Sequence, residues 1–167
     1  MGIRPLITTQ NVKLDLTAES TLETMNAMLT LAGQSDAVTD THGLARDLLR
    51  NEVLKHNRVF GCAVVFRVLS GSAIRPEVFF GRFAKGVGYK CESGCPIDLV
   101  FLIIAPPTQE LDFVNTLQRM EQLAKDTAVR ERLRAARDAQ EVLRILNEDA
   151  GKVENAMIEA HPHKGVT

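Results

Sequence analysis

The sequence predicts a single-domain α/β sandwich, a mixed central sheet flanked by helices, and three observations carry that prediction. First, six consecutive apolar residues, Leu99 to Ile104, lie between proline stops at Pro96 and at Pro106-Pro107. A run this short, rich in branched and aromatic residues, predicts a strand buried on both faces, and such a strand needs helices to cover it. Pro96 has no backbone donor and suits the strand's first residue. Second, an apolar run from Val59 to Leu69 and a strand-like segment from Pro76 to Phe83 precede it. Third, the chain after Pro107 carries apolar residues at three- and four-residue spacing, the period of helices.

Taken in order, Asn11 to Leu16 alternates, with Val12, Leu14 and Leu16 against Lys13 and Asp15, and predicts a half-buried strand. Thr17-Ala18-Glu19-Ser20 leads into a helix whose apolar face is Leu22, Met25, Met28, Leu29 and Ala32, with Gly33 as its stop. Val38-Thr39-Asp40 caps a second helix running to about Lys55, striped by Leu44, Leu48 and Leu49. His42 in its first turn reads as a solvated surface residue. Ser70-Gly71-Ser72 is a turn, and Gly86 to Tyr89 continues the third strand towards a hairpin at Cys91 to Cys95. The helical part holds a long helix with Leu111, Val114, Leu117, Met120, Leu123 and Ala124, then a short basic one from Arg130 to Ala136. A further helix opens at Asp138 and carries Val142, Leu143 and Leu146. The arginines of the basic helix alternate with Glu131, Asp138 and Glu141, which predicts a solvated face and not a nucleic-acid patch. The domain is expected to span residues 1–146. Residues 147–167 form a C-terminal extension, helical in pattern from Val153 to Ala160.

Composition narrows the function classes. The chain has 167 residues, 45% hydrophobic and 25% charged, with a net charge of -1. No overall basic field points to nucleic acid or to an anionic membrane. No apolar run approaches the roughly 18 residues that span a bilayer. Met1 to Pro5 opens no long apolar segment of the secretory kind, so the cytoplasm is the expected compartment. Cys62, Cys91 and Cys95 form no disulfide framework. Cys91 and Cys95 flank Glu92-Ser93-Gly94 and could oxidise or share a metal. With no other Cys or His close in sequence, two reduced thiols are the expectation, with no metal site and no cofactor. Cys62, inside an apolar run, reads as a buried and inert thiol.

Several segments are similar to one known family. They are Leu14-Asp15-Leu16-Thr17-Ala18-Glu19-Ser20, the helix from Leu44 to Leu54, Ile74-Arg75-Pro76-Glu77-Val78, and the closing helices from Leu117 to Leu146. The most specific is Cys95-Pro96-Ile97-Asp98-Leu99-Val100-Phe101-Leu102. Together they resemble the type-2 enzyme IIA domain of the bacterial phosphotransferase system, the fructose, mannitol and nitrogen-regulatory branch. That resemblance implies an enzyme IIA fold and a histidine, preceded by proline, that takes a phosphoryl group from a phosphocarrier protein and passes it to a partner domain.

Carried over residue by residue, the resemblance puts the family's Pro-His on Phe66-Arg67. An arginine is protonated at any usable pH and has no lone pair for phosphorus, so it cannot be the nucleophile. The Arg of the family's Arg-Glu pair falls on Asn51, while Glu52 is kept. The Gly-rich loop falls on His56-Asn57-Arg58-Val59-Phe60, and a second family histidine falls on Phe113. The resemblance thus implies a retained scaffold with a degenerate phosphorylation site. The candidate binding residues are Asn51, Glu52, His56, Arg58, Arg67 and Phe113. Arg67 must find a partner or reach water, and pairing with Glu52 or a solvated rim is expected before anion binding with Asn51 and Arg58. The function expected is a regulatory module that binds proteins, whether phosphotransferase-system components or a regulated transporter or kinase. The alternatives are an active phosphocarrier using another residue such as His56, or a small-anion sensor around Arg67.

Overall fold

The structure, a computed structural model, describes residues 6–53, 57–87 and 96–148. The expected hairpin at Cys91 to Cys95, residue His56 and the extension beyond residue 148 lie outside the described residues. Five strands are formed: β1 (Val12–Leu16), β2 (Arg58–Phe60), β3 (Ala63–Leu69), β4 (Glu77–Val87) and β5 (Ile97–Ala105). The helices are α1 (Thr21–Ala32), α2 (Thr41–Val53), α3 (Glu110–Lys125), α4 (Thr127–Ala135) and α5, over residues 139–148. The strands join in one mixed sheet of order β1-β4-β5-β3-β2. β1 with β4 and β3 with β5 are parallel; β4 with β5 and β2 with β3 are antiparallel.

The apolar run named above is β5, the middle strand, preceded by Pro96 and ended by Pro106. Every residue of it except Asp98 is buried. Its alternate side chains divide between two cores. Leu99, Phe101 and Ile103 meet Phe113, Leu117 and Met120 of α3, Val129 and Leu133 of α4, and Val142, Ile145 and Leu146 of α5. Val100, Leu102 and Ile104 meet Met25, Met28 and Leu29 of α1 and Leu44 and Leu48 of α2. Period two in the strand and the helical period on both sides therefore build one three-layer sandwich. Phe101 stands opposite Phe80 of β4, with ring centroids 4.9 Å apart and a 46° tilt.

Local chemistry sets the element ends. Ser20 caps α1, its hydroxyl accepting from the Glu23 N–H at 3.1 Å, while the Glu23 carboxylate accepts from the Glu19 N–H at 2.9 Å. Asp126 caps α4 by accepting from the N–H groups of Ala128 and Val129. At the other end of α4, Arg82 of β4 donates to the carbonyls of Leu133, Arg134 and Ala136 at 3.1, 3.1 and 2.6 Å. A cation there satisfies orphan carbonyls and favours the negative end of the helix dipole.

One strand was not a single strand. The run from Val59 to Leu69 folds as a hairpin, β2 and β3, with Phe60 opposite Ala63 and only Gly61 and Cys62 between. Gly61 sits at φ 58°, a backbone state that costs a glycine little, so it turns the chain inside an otherwise continuous apolar run. The basic helix also departs from a purely solvated face. Arg134 is only partly exposed and donates to Asp98 of β5 at 2.7 Å, and it also bonds Glu131 and the Cys62 sulfur. Its pKa is raised, first by the hydrogen bond to Asp98. Arg132 pairs with Glu148 of α5, and Arg130 donates to the Ala124 carbonyl.

Two substitutions test this account. Phe101→Ala is expected to lower unfolding free energy by about 3–5 kcal/mol in a denaturant titration, through lost transfer and a cavity in the middle strand. Arg82→Met, which keeps the apolar stem and removes the cap, is expected to cost about 1–3 kcal/mol in the same titration.

Candidate functional site

The residues singled out around position 67 gather at the outer side of β3, where the short strand β2 stops. β2 pairs only as far as Arg58 opposite Val65, so the backbone of Arg67 has lost its strand partner on that side. Two asparagine side chains replace it. The Arg67 N–H donates to Asn57 Oδ1 at 3.0 Å, and the Asn51 amide, from the last turn of α2, donates to the Arg67 carbonyl. Asn57 is oriented in turn by donating to Glu52 Oε2 at 2.9 Å. A carboxylate can only accept, so this bond fixes the amide nitrogen toward Glu52 and the oxygen toward Arg67. On the other side Arg67 pairs with Ile103 of β5, so its main chain is held from both edges.

The side chain of Arg67 points to the α3 side. Ala63 and Val65 belong to the core under α3, Leu69 packs against that core, and Arg67 lies in the same row. It is partly exposed, and among the described residues its guanidinium has no hydrogen-bond or ion-pair partner. The expected ion pair with Glu52 is not formed among the described residues: Glu52 reaches position 67 only through Asn57, which accepts from the Arg67 main-chain N–H and leaves the guanidinium out of the link. Arg58 is committed elsewhere, to Glu121 of α3 at 3.1 Å. Phe113 is 7% exposed and forms part of the core beneath α3. Asn51, Glu52 and Arg67 are thus brought together, Arg58 is turned to α3, Phe113 belongs to the core, and His56 lies outside the described residues.

Asn57 was missed as a positioning residue by sequence reasoning. An amide just before a strand is also an ordinary turn residue, and only the three-dimensional gap left by β2 shows what it completes. Among the described residues His42 is exposed at the far end of α2, and the helix rises about 14 Å between it and Asn51. It is not placed to serve this site. Among the described residues no three His, Cys, Asp or Glu side chains gather to hold a metal, and no helix is long and apolar enough to cross a membrane.

Comparison with known proteins adds to this geometry. Residues 5–149 match the family described as phosphoenolpyruvate-dependent sugar phosphotransferase system, EIIA 2. The chain belongs to this family. It is 33% identical over 101 residues to a nitrogen regulatory protein of Bradyrhizobium diazoefficiens, which covers 57% of this chain and 66% of the relative. It is 24% identical over 148 residues to the fructose-specific EIIABC component of Bacillus subtilis, covering 89% of this chain but only 23% of that protein. The chain therefore spans less than two thirds of the length of either relative. Its fold is that of the nitrogen regulatory protein IIA-Ntr from Neisseria meningitidis, with a TM-score of 0.73 at 19% identity over 86% of this chain and 98% of the other. It is also that of the mannitol IIA of Escherichia coli, with a TM-score of 0.71 at 19% identity over 84% and 98% of the two chains.

The bracing predicts a local measurement. Asn57→Ala is expected to speed hydrogen exchange at the Arg67 amide at least about tenfold, since the N–H loses a bond worth roughly 1–3 kcal/mol once it is unsatisfied. Amides of β5 are expected to keep their protection.

Proposed function

We propose that this enzyme IIA domain is a regulatory, protein-binding module that carries no phosphate at position 67. The observation that carries the reading is Arg67 itself. It stands where the family resemblance expects the phosphoryl-accepting histidine, its main chain is braced by Asn51 and Asn57, and its partly exposed guanidinium has no partner among the described residues. A protonated guanidinium has no free lone pair with which to take a phosphoryl group as a histidine does, but it can receive an acidic or phosphorylated group of another protein. Leu49 of α2 and Leu111 and Val114 of α3 are exposed on the two helices that pack on β3, and they supply apolar area for docking. The mannitol IIA domain has been captured in complex with phosphorylated enzyme IIB, and this chain shares its fold with a TM-score of 0.69 at 19% identity. A phosphotransferase-system protein, or a transporter or kinase under regulation, is the partner class this reading implies. The reading places residues 1–146 as the working domain and 147–167 as an appendage to it, and places the protein in the cytoplasm.

A guanidinium without a partner among the described residues also favours a second reading, a sensor for a small anion. Inorganic phosphate or a sugar phosphate would then raise the melting temperature of the wild type and leave that of Arg67→Ala unchanged.

Incubation with phosphoenolpyruvate, enzyme I and the phosphocarrier protein tests the main reading. No acid-labile phosphate is expected on the chain. Label that disappears in His56→Ala would overturn it and establish an active phosphocarrier instead.

A further inference from the structure

A polar cleft of about 710 Å³ opens where the end of α1 meets the starts of β1 and β4. It is separate from the Arg67 site. Glu77, which lines the cleft, pairs with Ile104 of β5, whereas Arg67 pairs with Ile103 from the opposite side. Their main chains are therefore about 10 Å apart, two strand spacings. Glu77 is in phase with Phe79, which belongs to the α1–α2 core, so the Glu77 and Arg67 side chains leave opposite faces of the sheet.

The chemistry of the cleft is selective. Of the nine residues that line it, only Leu31 is apolar, which excludes the apolar ligands that most pockets of this size take. It gathers one cation, Arg75, and two anions, Asp36 and the 8% exposed Glu77. Glu77 Oε1 is filled, accepting from Asn11 Nδ2 at 2.9 Å and Ser35 Oγ at 2.8 Å. Among the described residues Oε2 has only Arg75 Nη2, at 3.3 Å, and a carboxylate oxygen has room for a second donor. Arg75 also bonds Asp36, whose side chain is 87% exposed, and holds that carboxyl below the usual carboxylate range. So exposed a pair contributes little to stability, and a ligand carboxylate can take its place on the guanidinium.

We propose that this cleft binds a free α-amino acid, with its carboxylate on Arg75 and its ammonium between Glu77 Oε2 and Asp36. An α-amino acid carries both charges on one carbon and so needs a cation and an anion side by side, which Arg75 Nη2 and Glu77 Oε2 supply at 3.3 Å. A dianionic phosphate would meet two carboxylates against one guanidinium. A simple cation would leave Arg75 unused. The exposed amides of Gln10 and Gln34 line the rest of the cleft and are placed to meet the ligand's side chain.

Nitrogen-15 amide spectra of the full chain, titrated to about 10 mM with each common amino acid, with glucose and mannitol as neutral controls, test the assignment. At least one amino acid is expected to shift the amides of Ser35, Asp36, Arg75 and Glu77. Arg75→Met is expected to weaken that binding at least about tenfold. Gln34→Trp, which fills the cleft from an exposed turn and leaves the buried network intact, is expected to abolish it. No shift with any amino acid overturns the proposal. So do equal shifts with the polyols, and so does binding that survives both substitutions.

Discussion

The constraint on which the structure depends is the burial of β5 on both faces. A strand whose alternate side chains must all leave water requires a neighbour on each edge and a helical layer on each side. β4 and β3 provide the edges, and α1–α2 and α3–α5 provide the layers. Each large apolar side chain so buried contributes roughly 1.5–3 kcal/mol before conformational entropy is counted. The polar exception proves instructive. Asp98, one residue into the strand, is matched by Arg134, so a charge near the end of the middle strand ties α4 to the sheet.

The same constraint separates the scaffold from the side chain at position 67. Phe66 and Val68 of β3 face the α1–α2 core and Val65 faces the other, so the strand is held by residues on either side of position 67 in sequence. Arg67 lies where the covering row runs out to the rim. What that position requires of the fold is met by its main chain, through Ile103 on one edge and the two asparagines on the other. The side chain is left out of the folding problem. A residue so decoupled can be a nucleophile, a cation or neither without disturbing the core.

This decoupling also bounds what a sequence reveals. The buried middle strand, the alternating β1, the helices after Pro107 and the mixed sandwich were legible because each has a period imposed by burial. The division of Val59 to Leu69 into two strands was not, because its apolar pattern runs on through the turn as far as Phe66 and the turn rests on one glycine with positive φ. At the site, the gathering of Asn51, Glu52 and Arg67 followed from the family resemblance. Asn57 did not, since its importance comes from where β2 ends. The ties of Arg58 to Glu121 and of Arg134 to Asp98 were hidden for a related reason. A charged residue in a sequence announces that it needs a partner but never names one, and these partners lie 63 and 36 residues away.

The two candidate sites share one end of the sheet. β5 runs there between Arg67 on β3 and Glu77 on β4, and Ile103 and Ile104, near its end, pair with the two positions. Ile103 supports the α3 face and Ile104 the α1–α2 face. A ligand that tightened the Asn11–Glu77–Ser35 network would thus act on a strand that the Arg67 ladder shares directly. Close-packed interiors transmit such strain because side chains cannot yield without losing contacts. If both positions bind ligands, adjacent residues of one buried strand join them, and any dependence between them must run in both directions.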